Sequence, residues 1–134
     1  MSKNLELVKN YVLDMDLRIV DENEDEELIV VEDEENGIHH LVIDCEPPIV
    51  VLEQLIMEVH KDDPQLYKRL LQMNRELVHG AFVLDEQGRY VFFRDTLQLK
   101  NLDFNELEAS IQALSLALAE NGAELLEFAK KHTQ

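Results

Sequence analysis

The sequence predicts a single α+β domain built on an antiparallel sheet, with elements in the order α-β-β-β-α-β-β-α. Three observations carry that expectation. Apolar residues repeat at helical spacing near both ends of the chain and once more after Asp63-Pro64. Between these stretches lie short β-branched and aromatic runs punctuated by Asn36-Gly37 and Asp85-Glu86-Gln87-Gly88. At 134 residues, with no internal repeat and no flexible linker, the chain is sized for one core spanning residues 1–134.

Residues 4–15 place Leu5, Val8, Val12 and Met15 on one stripe, with Leu7 and Tyr11 beside it, which predicts the first helix. Leu17, Ile19 and Asp21 then alternate with Arg18 and Val20, a pattern compatible with a short strand. Two acidic runs, DENEDEE (21–27) and EDEEN (32–36), bracket Leu28-Ile29-Val30-Val31, a compact β-branched strand. Asn36-Gly37 tolerates the positive φ of a type I′ turn and predicts a hairpin returning through Leu41, Val42 and Ile43. Pro47 and Pro48 have no N–H to donate and interrupt pairing. Residues 49–59 fit two periods. Val51, Leu52, Leu55, Ile56 and Val59 suit a helix stripe; Ile49, Val51, Leu55, Met57 and Val59 suit a strand face. The β-branched content and the preceding prolines favour the strand.

Asp63 followed by Pro64 is a helix start, because Asp caps and proline at the first helical position loses no needed donor. Leu66, Leu70, Met73 and Leu77 repeat on one face, with Tyr67, Leu71 and Val78 adjoining. The helix is expected to end near Asn74 or Arg75, asparagine being at home in a left-handed cap. Residues 78–84 and 89–97 then form a hairpin in which Phe82 and Leu84 share a face, as do Tyr90 and Phe92, while Val83, Val91 and Phe93 point the other way. A sheet apolar on both faces requires cover on both, from helices or a second subunit. Asp103 and Glu106 form a capping-box variant before the last helix, whose stripe runs through Phe104, Leu107, Ile111, Leu114, Leu118, Leu125 and Phe128. Gly122 is a place where that helix would kink or split.

Charge narrows the function classes. There are 29 acidic residues against 12 Lys and Arg, a net charge of −17. Nucleic-acid binding requires cations to neutralise phosphates, and no basic stripe is present. Anionic lipid surfaces are disfavoured for the same reason. The expected complement is a basic protein or segment. Cys45, the single cysteine, has no internal disulfide partner and fits a reducing compartment. The first residues lack the apolar run of a signal peptide, and no stretch reaches the length of a membrane span. A cytoplasmic protein without membrane insertion is the expectation.

Several residue groups invite chemistry. Asp21, Asn23, Asp25, Glu27 and Glu32 fall at positions 1, 3, 5, 7 and 12 of an EF-hand-like loop, but Glu26 stands where that loop requires glycine. A solvated charged turn is the preferred reading. His39-His40 suggests a metal, yet consecutive strand residues point to opposite faces. His79 with Arg94 or Asp95 suggests a general base, but no nucleophile or oxyanion loop accompanies them. Phosphate-loop patterns are absent, and Cys45 reads as a packed thiol. No catalytic, cofactor or metal residue is assigned.

Leu70-Leu71-Gln72-Met73-Asn74, the hairpin from Phe82-Val83-Leu84-Asp85 through Gly88 to Phe92, and Thr96-Leu97 leading to Asp103-Phe104 and Leu107 together resemble the YbjN-type domain. That family is grouped with the type III secretion chaperones of the CesT/Tir kind. The resemblance covers roughly residues 28–130 and brings no catalytic residue. It implies a small acidic homodimer holding extended partner segments on apolar patches. The resulting expectation is a non-enzymatic chaperone-like or adaptor protein that binds a polypeptide, without cofactor and as a homodimer. Leu66, Leu70 and Met73 on the helix and Val83, Val91 and Phe93 on the sheet are the expected partner or dimer surface. The alternative is a small-ligand or cation-binding regulatory domain centred on residues 21–35.

Overall fold

The computed structural model describes residues 3–133. In chain order these form α1 (Lys3–Asp14), β1 (Arg18–Asn23), β2 (Leu28–Asp33), a 3-10 turn at Glu34–Asn36, β3 (Ile38–Glu46) and β4 (Ile49–Glu58). α2 (Pro64–Asn74), β5 (Ala81–Leu84), β6 (Tyr90–Gln98) and α3 (Phe104–Lys131) follow. The strands make one antiparallel sheet in the order β1-β2-β3-β4-β6-β5. The α+β class and antiparallel sheet expected from the sequence are observed, with one strand more than the expected order. The alternation at Leu17–Asp21 is the start of β1, a full edge strand.

A single core joins the sheet to all three helices. Leu5, Val8 and Val12 of α1, Leu66, Leu70 and Met73 of α2, and Leu107, Ile111, Leu114, Leu125 and Phe128 of α3 pack together. They meet Ile29, Val31, Ile43, Val50, Leu52, Val91 and Phe93, which project from one face of the sheet. Burying each such side chain stabilises the fold by about 1.5–3 kcal/mol before chain entropy is counted. The opposite, open face carries Val30, Val42, Val51, Leu55, Phe92 and Val83, together with an ion pair between Arg94 Nη1 and Glu53 Oε2 at 2.7 Å.

Local chemistry explains most boundaries. Asp63 Oδ1 accepts the Leu66 N–H at 3.2 Å, and Asp103 Oδ1 accepts the Glu106 N–H at 2.8 Å. Pro47 and Pro48 form the turn between β3 and β4. Gly88, at φ 70°, closes the β5–β6 turn, where Asp85 Oδ1 accepts the N–H groups of Arg89 and Tyr90.

Five sequence expectations need correction. The β2–β3 connection is not a two-residue type I′ turn: a 3-10 turn ends in Gly37, which alone takes the left-handed conformation. Gly122 neither kinks nor divides α3, which is continuous over 28 residues. The core face of β4 is Val50, Leu52 and Gln54, then Met57 after a register shift between Leu55 and Met57, with Val59 buried just past the strand. Apolar residues on both sides of this strand hide that shift from periodicity. In the hairpin, Phe82 pairs with Phe93 and Val83 with Phe92. Val91 and Phe93 therefore share the core face with Phe82, while Val83 shares the open face with Phe92. Asn74, finally, is not a left-handed cap; its amide has another task, described below.

The end of α3 is tied to the start of α2. His132, buried, accepts the His60 N–H on Nδ1 at 3.1 Å, so its ring proton sits on Nε2, 3.0 Å from Asp63 Oδ2. Burial alone would raise the Asp63 carboxyl, but the bonds from His132 and the Leu66 N–H outweigh it and hold the group below the usual carboxylate range. A depressed folded value means the stabilisation is present above the unfolded pKa of about 3.9 and is lost as pH falls through the folded value. Asp63→Ala is expected to cost about 1–2 kcal/mol at neutral pH through the lost cap. Urea midpoints measured across the acid range should show the gap to the native protein closing below about pH 4.

Candidate functional site

An apolar groove runs along the edge of the sheet between α2 and β5. Tyr67, Leu70, Leu71, Phe82, Val83 and Leu84 line it, and it is open to solvent, with a volume of about 380 Å³. The helical repeat explains one wall: Leu66, Leu70 and Met73 turn inward, and Tyr67 and Leu71 ride on the flank. Leu71 is 72% exposed. The other wall is the uncharged strand Ala81-Phe82-Val83-Leu84.

Asn74 fixes the distance between the two walls. Its Oδ1 accepts the Phe82 N–H at 2.8 Å, and its Nδ2 donates to the Phe82 carbonyl at 3.1 Å. One side-chain amide thus satisfies both main-chain groups of Phe82 in the way a neighbouring strand would. This closes the edge of β5 to strand addition at that residue. Gly80, just before the strand, lets the Phe93 ring pack closely, since at φ 74° a Cβ there would collide with it. The remaining edge strand, β1, carries Asp21 and Glu22 and is protected by charge.

Of the expected surface residues, Leu66, Leu70, Met73, Val91 and Phe93 are buried in the core, and Val83 is half-buried. The first three face the sheet because they form the helix stripe; Val91 and Phe93 do so because of the hairpin register. Leu70 and Val83 meet at the groove, and the accessible apolar atoms there belong to their neighbours Leu71 and Leu84. In the sequence Leu71 stands beside the helix stripe and Leu84 shares a face with Phe82, and neither position reports exposure.

The tempting polar groups have other duties. Asp95 Oδ2 accepts from the buried Ser110 hydroxyl at 2.7 Å, and Arg94 is paired with Glu53. Neither is left to serve His79, which lines a shallow cleft with Val78 and Leu116. Cys45 is buried, and burial, then Glu27 and Asp44, push its thiol up to about 11, so it stays protonated and inert. Asp21 and Asn23 belong to β1, and Asn23 Oδ1 accepts the Glu26 N–H at 3.0 Å in the tip of an ordinary hairpin.

His39 and His40 depart most from expectation. Ile38 and Leu41 both enter the core, so the two histidines between them occupy a bulge opposite Glu32 and project together from the open face. His40 takes φ 52° to achieve this, and the two rings lie 4.8 Å apart. Glu32 Oε1 is 3.4 Å from His39 Nδ1 and 3.1 Å from His40 Nδ1, while Arg18 Nη2 holds Oε2 at 3.1 Å. The carboxylate is buried beneath them.

An antiparallel sheet with its three described helices on one face is the α+β fold of the type III secretion chaperone kind. The family model CesT_Tir_1 matches residues 1–131, and the chain belongs to that family. Among solved structures, YbjN of E. coli, described as a candidate transcription regulator, superposes with a TM-score of 0.69 at 13% identity, covering 90% of this chain and 92% of that one. A chaperone in complex with its effector, HopA1-SchA, matches with a TM-score of 0.57 at 19% identity, over 96% and 94% of the two chains. An uncharacterized protein of Methanothermobacter thermautotrophicus matches with a TM-score of 0.66 at 15% identity, over 94% and 99%. No curated relative matches by sequence. Among the described residues, no helix is long and apolar enough to cross a membrane.

Proposed function

We propose that this protein is a non-enzymatic, chaperone-like adaptor of the cytoplasm that binds a segment of another polypeptide in the α2–β5 groove. The observation that carries this reading is the groove itself, apolar on both walls and held open by Asn74. It is a slot for one or two apolar side chains of an extended segment, not a strand-addition edge, because Asn74 occupies the Phe82 main chain. The charge of −17 adds the second half of the recognition: basic residues flanking the apolar anchors are attracted, and acidic partners and DNA are repelled. Family membership and the fold shared with a chaperone–effector complex support the same class of partner.

The protein acts, on this reading, as a homodimer. The row Leu55, Phe92 and Val83 on the open face, beside the oppositely charged Glu53 and Arg94, offers the self-complementary patch that a two-fold contact requires. Light scattering should give twice the chain mass for the native protein and a single chain mass for Leu55→Glu/Phe92→Glu. A native monomer would contradict the dimer.

Peptide selection from a random library tests the groove. The enriched segments should combine paired apolar residues with Lys or Arg. Their affinity should fall roughly tenfold or more, equivalent to about 1.4 kcal/mol, for Leu71→Glu/Leu84→Glu. No enrichment over that variant would contradict the proposal.

A further inference from the structure

Glu32, His39 and His40 have no part in the groove, yet they are assembled with more care than a surface ion pair requires. A carboxylate pointing from the solvent face of a sheet ordinarily lies in water, whereas Glu32 is buried under two imidazoles and a guanidinium. Two histidines consecutive in a strand ordinarily diverge, whereas a bulge turns these to one side. The bulge is fixed from beneath: Ile38 and Leu41 anchor it in the core. The buried Gln54 accepts the His39 N–H and donates to the Gly37 carbonyl, both at 3.0 Å. A non-glycine residue held at positive φ, as His40 is, costs free energy that the surrounding fold must sustain, and such positions concentrate at functional sites.

We propose that these three side chains bind one divalent transition-metal ion of the zinc type. One donor atom from each residue lies within 4.8 Å of the other two. The Oε1–Nδ1 separations are 3.1 and 3.4 Å. Two ligands on a tetrahedral zinc, with bonds of about 2.0–2.1 Å, lie roughly 3.3 Å apart, so a small movement of the side chains admits the ion. Arg18, on Oε2, leaves Oε1 to ligate and orients the carboxylate as outer-shell partners do. Two imidazoles with a single carboxylate oxygen select Zn²⁺, Ni²⁺ or Cu²⁺ over Ca²⁺, which demands six to eight oxygen ligands. With three ligands from this chain, the fourth position faces solvent.

The test is calorimetric titration of the untagged 134-residue chain with Zn²⁺ at about pH 7. A one-to-one isotherm is expected, with a dissociation constant raised roughly tenfold or more in His39→Ala and in His40→Asn. Asparagine tolerates positive φ, so His40→Asn removes a ligand while keeping the bulge. Asp25→Asn/Glu26→Gln, in the acidic turn, should leave the isotherm unchanged, and Ca²⁺ should give none. Absence of one-to-one binding, or native affinity retained in both histidine variants, would overturn the proposal. A loss in the acidic-turn variant as large as in the histidine variants would do the same.

Discussion

Phe93→Ala is expected to destabilise the protein by about 3–5 kcal/mol, while Val83→Ala, a neighbour on the facing strand, costs under about 1 kcal/mol. The contrast follows from register. Phe93 is 1% exposed and packs edge-to-face on Phe82, ring centroids 6.0 Å apart, at the meeting point of β4, β5, β6 and the helices. Truncation removes its transfer free energy and leaves a ring-sized cavity beside Gly80, whose backbone the Phe93 ring already touches. Val83 projects from the other side of the same hairpin and retains contact with water. Chemical denaturation of both variants decides the matter, because the alternative hairpin register would give two similar losses.

Asn74→Ala is expected to cost about 2–3 kcal/mol, more than any exposed polar truncation, since it leaves a donor and an acceptor of Phe82 unpaired at once. It also opens the β5 edge, a short uncharged strand, to pairing with other chains. Concentration-dependent association beyond the dimer in Asn74→Ala, not seen in the native protein, is the accompanying expectation. Asn74→Asp keeps the acceptor but turns a carboxylate oxygen toward the Phe82 carbonyl, so it should rescue little. Recovery of full stability in Asn74→Asp would show that the amide donor is dispensable.

These residues also mark where the sequence is legible and where it is not. Helix starts at Asp63-Pro64 and Asp103 follow from chemistry contained within four residues, and the structure places both caps as expected. The strand at residues 49–59 follows from β-branched content even though its period is ambiguous. Faces are harder. A one-residue change in pairing exchanges the two sides of a strand, and with apolar residues on both sides of β4 and β6 no pattern reports which side is inside. The metal-like corner is hidden by the same rule, since alternation separates His39 from His40. The signal against alternation was present in Ile38-His39-His40-Leu41, where two polar residues between two apolar ones fit a bulge better than a regular strand. The groove escapes for a different reason. It depends on how far α2 stands from β5, and that distance is set by Asn74, which reads in sequence only as a helix end.

The claim that the α2–β5 groove receives a polypeptide is tested most directly by hydrogen–deuterium exchange on the native protein, with and without a library-selected peptide. New protection is expected in residues 67–71 and 81–84, with the acidic β1–β2 turn unchanged. Protection confined to the open sheet face or to α3, with the groove exchanging as before, would contradict it.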